Sequence, residues 1–425
     1  MEKLLLRGAR LVDPSRAMDE TGDLLICGGR IAQLGGTVDC GDARVIEASG
    51  LVAAPGLVDL HVHLRDPGFS EKEDVLSGCR AAAAGGVTSL LCMPNTRPAL
   101  DRAETVRGVL DKAKQADARV YVAAAITKGL AGAEPTDLKE LKEAGAAAVS
   151  DDGRPVADSV LMAGAMREAA KLGLFVTSHC EDLSLAGGGK LNEGEVSRAL
   201  GVPGIPAAAE DCGTARELAL AEAYRLPVHI CHVSTKTSVG MIRDAKRRGA
   251  PVTCETAPHY FALTERELLR RDADYRMNPP LRTEEDRQAV AEGLRDGTID
   301  VIATDHAPHT PREKADFLSA PSGAVGMETS LAAGITFLVL PGLLSLPELI
   351  RKMSVAPARL LGIPGGTLEP GASADVVLFD PAERWTVDPS KLHGKSRNAV
   401  MKGMELTGRV IMTILNGMIV YQKEL

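Results

Sequence analysis

Aromatic side chains are scarce. The 425 residues hold one Trp, five Tyr and six Phe, so the core must be aliphatic, built from the abundant Ala, Leu and Val. There is no basic excess either: 49 Lys and Arg stand against 57 Asp and Glu, a net charge of -8. That balance, with a pI near 5.7, argues against a nucleic-acid partner. Long apolar runs are missing. The longest, over 331–346, is broken by Pro341 and Gly342 and falls short of the ~20 residues that a membrane span needs. The apolar run at the N-terminus is too short for a signal peptide. The eight Cys include no CxxC pair. They read as free thiols in a reducing cytoplasm rather than a disulfide framework.

What remains is an ordinary globular composition, 45% apolar and 25% charged. Length alone suggests two or three domains at roughly 100–200 residues each, or one large barrel with a smaller companion. Both ends of the chain read as β-rich, with short apolar runs at 4–12, 23–31 and 44–48, and again at 374–379, 408–415 and 418–422. The last two flank Asn416-Gly417, the strongest short hairpin signal. The middle alternates strand-like runs with helix formers. Eight strand candidates fall at 57–64, 87–94, 119–127, 146–150, 174–180, 227–234, 252–256 and 300–305. Segments 211–225 and 284–295 between them favour helix, the latter with Thr283 as N-cap. Eight such units over about 250 residues predict an α/β fold of the (β/α)8 TIM-barrel type. A doubly wound sheet is the runner-up, disfavoured because no Gly-rich phosphate fingerprint follows the first strand.

Barrel enzymes carry their chemistry where strands end. The first run ends in His61-Val62-His63-Leu64-Arg65, and residues two apart on a strand share a face. The fourth ends in Ser150-Asp151-Asp152-Gly153, the fifth in His179-Cys180, the sixth in His229-Ile230-Cys231-His232 and the eighth in Asp305-His306-Ala307-Pro308-His309. A lone HxH is a weak signal. Four His with Asp at equivalent strand ends supply donors for two zinc-type ions sharing a carboxylate. Alternation predicts that His229 and Cys231 face the helices if His232 faces the axis. His393 is expected at the surface, Lys128 exposed, and His259 and Tyr260 buried.

These residues resemble the amidohydrolase superfamily, and within it the bacterial class I dihydroorotases. The resemblance rests on Pro55-Gly56-Leu57-Val58-Asp59-Leu60-His61-Val62-His63-Leu64-Arg65-Asp66-Pro67-Gly68, Met93-Pro94-Asn95-Thr96, Ser150-Asp151-Asp152-Gly153, Asn278-Pro279-Pro280-Leu281-Arg282, Thr304-Asp305-His306-Ala307-Pro308-His309 and Gly326-Met327-Glu328-Thr329. It spans essentially the whole chain. It implies a barrel over 55–366 and a small composite β-sandwich domain made of 1–54 and 367–425. It also implies zinc, one or two ions with two expected. His61, His63, Asp152 and Asp305 would hold one ion, and Asp152, His179 and His232 the other. Asp152 is implied as the bridge, with Asp151 as the alternative. Hydantoinases, dihydropyrimidinases and allantoinases usually use a carbamylated Lys there, and this strand end has none.

The activity implied is the reversible interconversion of N-carbamoyl-L-aspartate and L-dihydroorotate, in pyrimidine biosynthesis, with Asp305 moving the proton. The Arg65 fork suits the substrate carboxylate, with Asn95 beside it. The resemblance adds His309 and Asn278. Residues 310–325 read as a rim loop, with Ser322 and Gly323 touching substrate through their backbone. Further expectations are a homodimer and aspartate carbamoyltransferase as a candidate partner. Two rivals remain: another cyclic amidase, and an inactive scaffold for that transcarbamoylase, which would be expected to have lost metal ligands.

Overall fold

The structure, a computed structural model, describes residues 3–39 and 41–424; Met1, Glu2, Leu425 and the expected free thiol Cys40 lie outside the described residues. At the amino end, Leu4–Asp13 pairs antiparallel with Met18–Cys27, which pairs with Arg30–Leu34. The single strand expected over 23–31 is therefore two. Gly28 and Gly29 both adopt positive φ and turn the chain, so local turn chemistry overrides a continuous apolar run. Leu4–Asp13 also takes Arg44–Glu47 and Val52–Pro55 as parallel neighbours. Val52–Pro55 pairs antiparallel with Val376–Thr386, and the ladder continues through Glu405–Leu415 to Met418–Gln422. The two ends of the chain thus share one eight-stranded sheet. Asn416 (φ 50°) and Gly417 (φ 77°) make the final turn, as a type I′ hairpin requires.

The middle is a barrel. Leu57–Val62, Val87–Cys92, Arg119–Ala124, Ala148–Val149, Phe175–Ser178, Val228–Ile230, Val252–Thr256 and Val301–Ile302 follow one another in parallel order. The ring closes where the His63 amide donates to the His306 carbonyl at 2.8 Å. All eight strand candidates are present. Except for Val252–Thr256, each ladder stops short of its apolar run, and residues past several ladder ends, among them His63, His179, His232 and Asp305, line the site. Helices such as Ser159–Leu172, Ala207–Tyr224, Lys236–Arg247 and Glu284–Arg295 cover the outside. Glu284–Arg295 opens on a capping box between Thr283 and Asp286. Among the described residues no helix is long and apolar enough to cross a membrane.

Gly56 joins the shared sheet to the first barrel strand. A Cβ there would lie 2.3 Å from the Thr88 hydroxyl of the neighbouring barrel strand Val87–Cys92, so only glycine fits at the junction. The strand that carries the HxH pair is thereby anchored directly to the terminal sheet.

Candidate active site

The strand ends converge. His61 Nε2 lies 3.2 Å from Asp152 Oδ1, and His63 Nε2 lies 3.1 Å from Asp305 Oδ1. His179 Nδ1 is 2.9 Å from His232 Nε2, and both are 3.8 Å from Asp152 Oδ1. All six side chains are buried. Asp151 turns away, accepting from the Ile126 and Thr127 amides and the Thr127 hydroxyl. It ties the fourth strand end to the third, while Asp152 faces the imidazoles.

Backbone strain holds this geometry. Arg65, His232 and Asp305 have φ of 60°, 34° and 48°, a region that costs a non-glycine residue roughly 1–3 kcal/mol. The His232 conformation also corrects the alternation argument. The sixth strand stops at Ile230, and the left-handed turn then swings His232 to the axis. His229 and Cys231 do not face the helices: they lie on the axis side, close to His61 and Glu255, while Ile230 packs outward. Period-two counting fails once the strand has ended.

The donor set suits a cation. Two of the groups of side chains close enough to hold an ion are His61, Asp152 and His232, and His61, His63 and Asp305. Ligands about 2.1 Å from a tetrahedral ion sit roughly 3.4 Å apart, close to the spacings here. His61 Nε2 and Asp152 Oδ1 are buried without a hydrogen-bond partner, a state native interiors avoid. Burial would lower the His61 pKa, yet the Asp152 charge raises it well above the usual imidazole range. Burial would raise the Asp305 carboxyl, but the His63 hydrogen bond and nearby imidazoles hold it well below the ordinary carboxylate range. The centre therefore favours positive charge.

Above it opens a cleft of about 540 Å³, lined by every expected site residue except His61, which lies deeper. Asn95 links two groups: its Oδ1 is 2.8 Å from His63 Nδ1, and its amide donates to Asp152 at 3.2 Å. Arg65 Nε donates to the Pro308 carbonyl at 3.1 Å, and Nη2 lies 3.3 Å from His309 Nε2. Burial lowers the Arg65 pKa to about 10, so it stays charged at neutral pH. His309 also reaches the Ser322 carbonyl at 2.9 Å. Residues 310–325 are irregular, as expected of a rim loop. Gly323 (φ 125°) has no room for a Cβ, which would meet Ala307 at 2.6 Å. Lys314 pins this loop through the Ala273 and Pro321 carbonyls at 3.0 and 2.8 Å, and burial lowers its pKa to about 7.

Sequence reasoning missed two carboxylates. Glu181 Oε2 is 3.1 Å from His179 Nε2 and accepts from the Asn278 amide at 3.1 Å. Glu255 Oε1 is 2.9 Å from His61 Nδ1. A glutamate inside the apolar strand Val252–Thr256 was the available signal. Of the remaining groups, His393 pairs with Glu328 at the surface, Lys128 is exposed, and His259 and Tyr260 are buried. His306 accepts from the Gly326 amide at 3.2 Å.

Family models agree with this site. A dihydro-orotase-like model matches residues 50–238, and an amidohydrolase-family model matches 204–421. A dihydroorotase of Geobacter metallireducens is 50% identical over 423 residues, 99% of this chain and 100% of that protein. The chain belongs to the dihydroorotase family. A dihydroorotase of Syntrophus aciditrophicus is 48% identical over 426 residues, 99% of this chain and 100% of that protein. Among solved structures, an L-hydantoinase (dihydropyrimidinase) from Arthrobacter aurescens has a TM-score of 0.87 at 26% identity, covering 100% of this chain and 97% of that one. A D-hydantoinase has a TM-score of 0.86 at 25% identity, covering 99% and 95%. The chain thus has the dihydroorotase sequence pattern on a fold shared with other cyclic-amide hydrolases, and it is a hydrolase acting on cyclic amides.

Proposed function

We propose that this chain interconverts N-carbamoyl-L-aspartate and L-dihydroorotate using a zinc pair, with residues 55–366 as the catalytic barrel and 1–54 plus 367–425 as the β-domain. The observation that carries the reading is full-length identity of about half with dihydroorotases, joined to a cleft that sets a guanidinium beside a four-imidazole, two-carboxylate centre. His61, His63, Asp152 and Asp305 would hold one ion, and Asp152, His179 and His232 the other. Ions held there would lower the pKa of water toward neutrality and polarise an amide carbonyl.

The chain's own groups do the rest. Arg65, Asn95 and His309 grip the substrate carboxylate and set the ring amide over the centre. Asn278 and the backbone at Ser322 and Gly323 close on the ring. Asp305 takes the proton of the attacking water on a carboxylate oxygen and delivers it to the departing ring nitrogen. Ring closure runs these steps in reverse. The same reading places the enzyme in the cytoplasm as a homodimer, with aspartate carbamoyltransferase as a candidate partner.

The deciding experiment measures hydrolysis of L-dihydroorotate, hydantoin and dihydrouracil by the zinc-loaded protein. Selective turnover of dihydroorotate, lost on chelation and restored by zinc, is expected. No turnover with metal demonstrably bound would favour the scaffold reading. A narrower prediction concerns Arg65→Ala. Loss of a charged, paired contact worth about 1.5–3 kcal/mol should raise KM for dihydroorotate by roughly 10–100-fold, with kcat changed only a few-fold. Steady-state kinetics would show this, and an unchanged KM would remove Arg65 from the carboxylate site.

A further inference from the structure

Beneath the cleft, a column of polar side chains descends from His61 through the buried Glu255 and His229 to the half-buried Thr253. His61 turns Nε2 to Asp152 and Nδ1 to Glu255 Oε1 at 2.9 Å. The other Glu255 oxygen is 3.2 Å from His229 Nε2, and His229 Nδ1 is 2.8 Å from the Thr253 hydroxyl. The Phe175 ring packs against His229 at 5.1 Å between centroids. Glu255 and His229 are at most 1% exposed, and neither lines the cleft. An apolar filling would occupy this space without the heavy cost of desolvating a carboxylate. The arrangement needs another reason, and it meets the centre at the His61 ring.

One assignment of protons fits these contacts. With the Thr253 hydroxyl donating to His229 Nδ1, His229 carries its proton on Nε2, in ion-pair range of one Glu255 oxygen. The other oxygen accepts from His61 Nδ1–H, leaving the Nε2 lone pair aimed at the centre. An imidazole's tautomer and ring angle are set by the bond its far nitrogen makes. We propose that Glu255, held by His229 and Thr253, is a positioning residue that fixes the tautomer and orientation of His61 and so sets how tightly the centre holds its cation. The inference rests on the metal-dependent reading of the site.

Glu255→Gln tests it. A carboxamide offers oxygen to one imidazole and N–H to the other, so one of the two must flip its tautomer. Zinc affinity, measured by competition with a chromophoric chelator, should weaken by about 10–100-fold. In zinc-saturated protein kcat should fall while KM for dihydroorotate holds. A purely structural role would lower the melting temperature of the metal-free chain and leave zinc affinity alone. Zinc binding within about twofold of the unaltered protein would overturn the proposal. If Glu255→Gln does not fold, His229→Asn decides by the same criterion, since it loosens the column without touching an expected zinc ligand. Weakened zinc binding in a protein inactive on dihydroorotate would support the proposal and overturn only the substrate assignment.

Discussion

Asp305→Asn should keep most of the bound metal and lose turnover by about 10²–10⁴-fold, the range a positioned proton carrier supplies. The substitution is nearly isosteric, and asparagine tolerates the left-handed backbone that Asp305 adopts at φ 48°. The side chain can still face His63, now 3.1 Å away. A carboxamide cannot take a proton at neutral pH, so water activation and protonation of the departing nitrogen fail together. The second ligand set, Asp152, His179 and His232, is untouched. Kinetics paired with elemental analysis of desalted protein separates the two effects. Near-normal turnover would exclude Asp305 from proton transfer.

Asp152→Asn should act in the opposite order, emptying the centre first and losing turnover as a consequence. Asp152 approaches all four imidazoles, at 3.2 Å from His61, 3.7 Å from His63 and 3.8 Å from His179 and His232. Asparagine keeps the shape but removes the charge that raises His61 and leaves one acceptor oxygen where two ions would share a carboxylate. Zinc affinity should drop by on the order of 10²-fold or more, and excess zinc should restore part of the activity. Asp305→Asn should gain nothing from added zinc. Titrating zinc into both variants gives the contrast, and a tight-binding Asp152→Asn protein would refute the bridging role.

Much of this was legible in the residues. The eight strand runs, the N-cap at Thr283 and the Asn416-Gly417 hairpin were readable because each depends on neighbours within a few positions. The convergence of four imidazoles and two carboxylates was readable because strand ends of a barrel share one rim. What escaped depends on three-dimensional facts without a local signature. Parity misplaced His229 and Cys231 because it assumed a strand continuing past Ile230. The choice between Asp151 and Asp152 turned on which side chain met the Ile126 and Thr127 amides. Glu181 and Glu255 each act through a histidine distant in chain or turned by the rim, so spacing did not reveal them. The hairpin at Gly28-Gly29 was hidden by apolar residues on both sides.

The shared sheet has a consequence for biosynthesis. A nascent chain can pair Leu4–Asp13 with Met18–Cys27 almost at once. Val52–Pro55, however, gains its antiparallel neighbour only when Val376–Thr386 has been translated. The strand bearing His61 continues from Val52–Pro55 through Gly56, so its footing is completed among the last segments to leave the ribosome. Closing a loop of that length costs entropy before any contact repays it. Until then the half-built sheet exposes an unpaired edge, the kind of surface on which newly made chains aggregate.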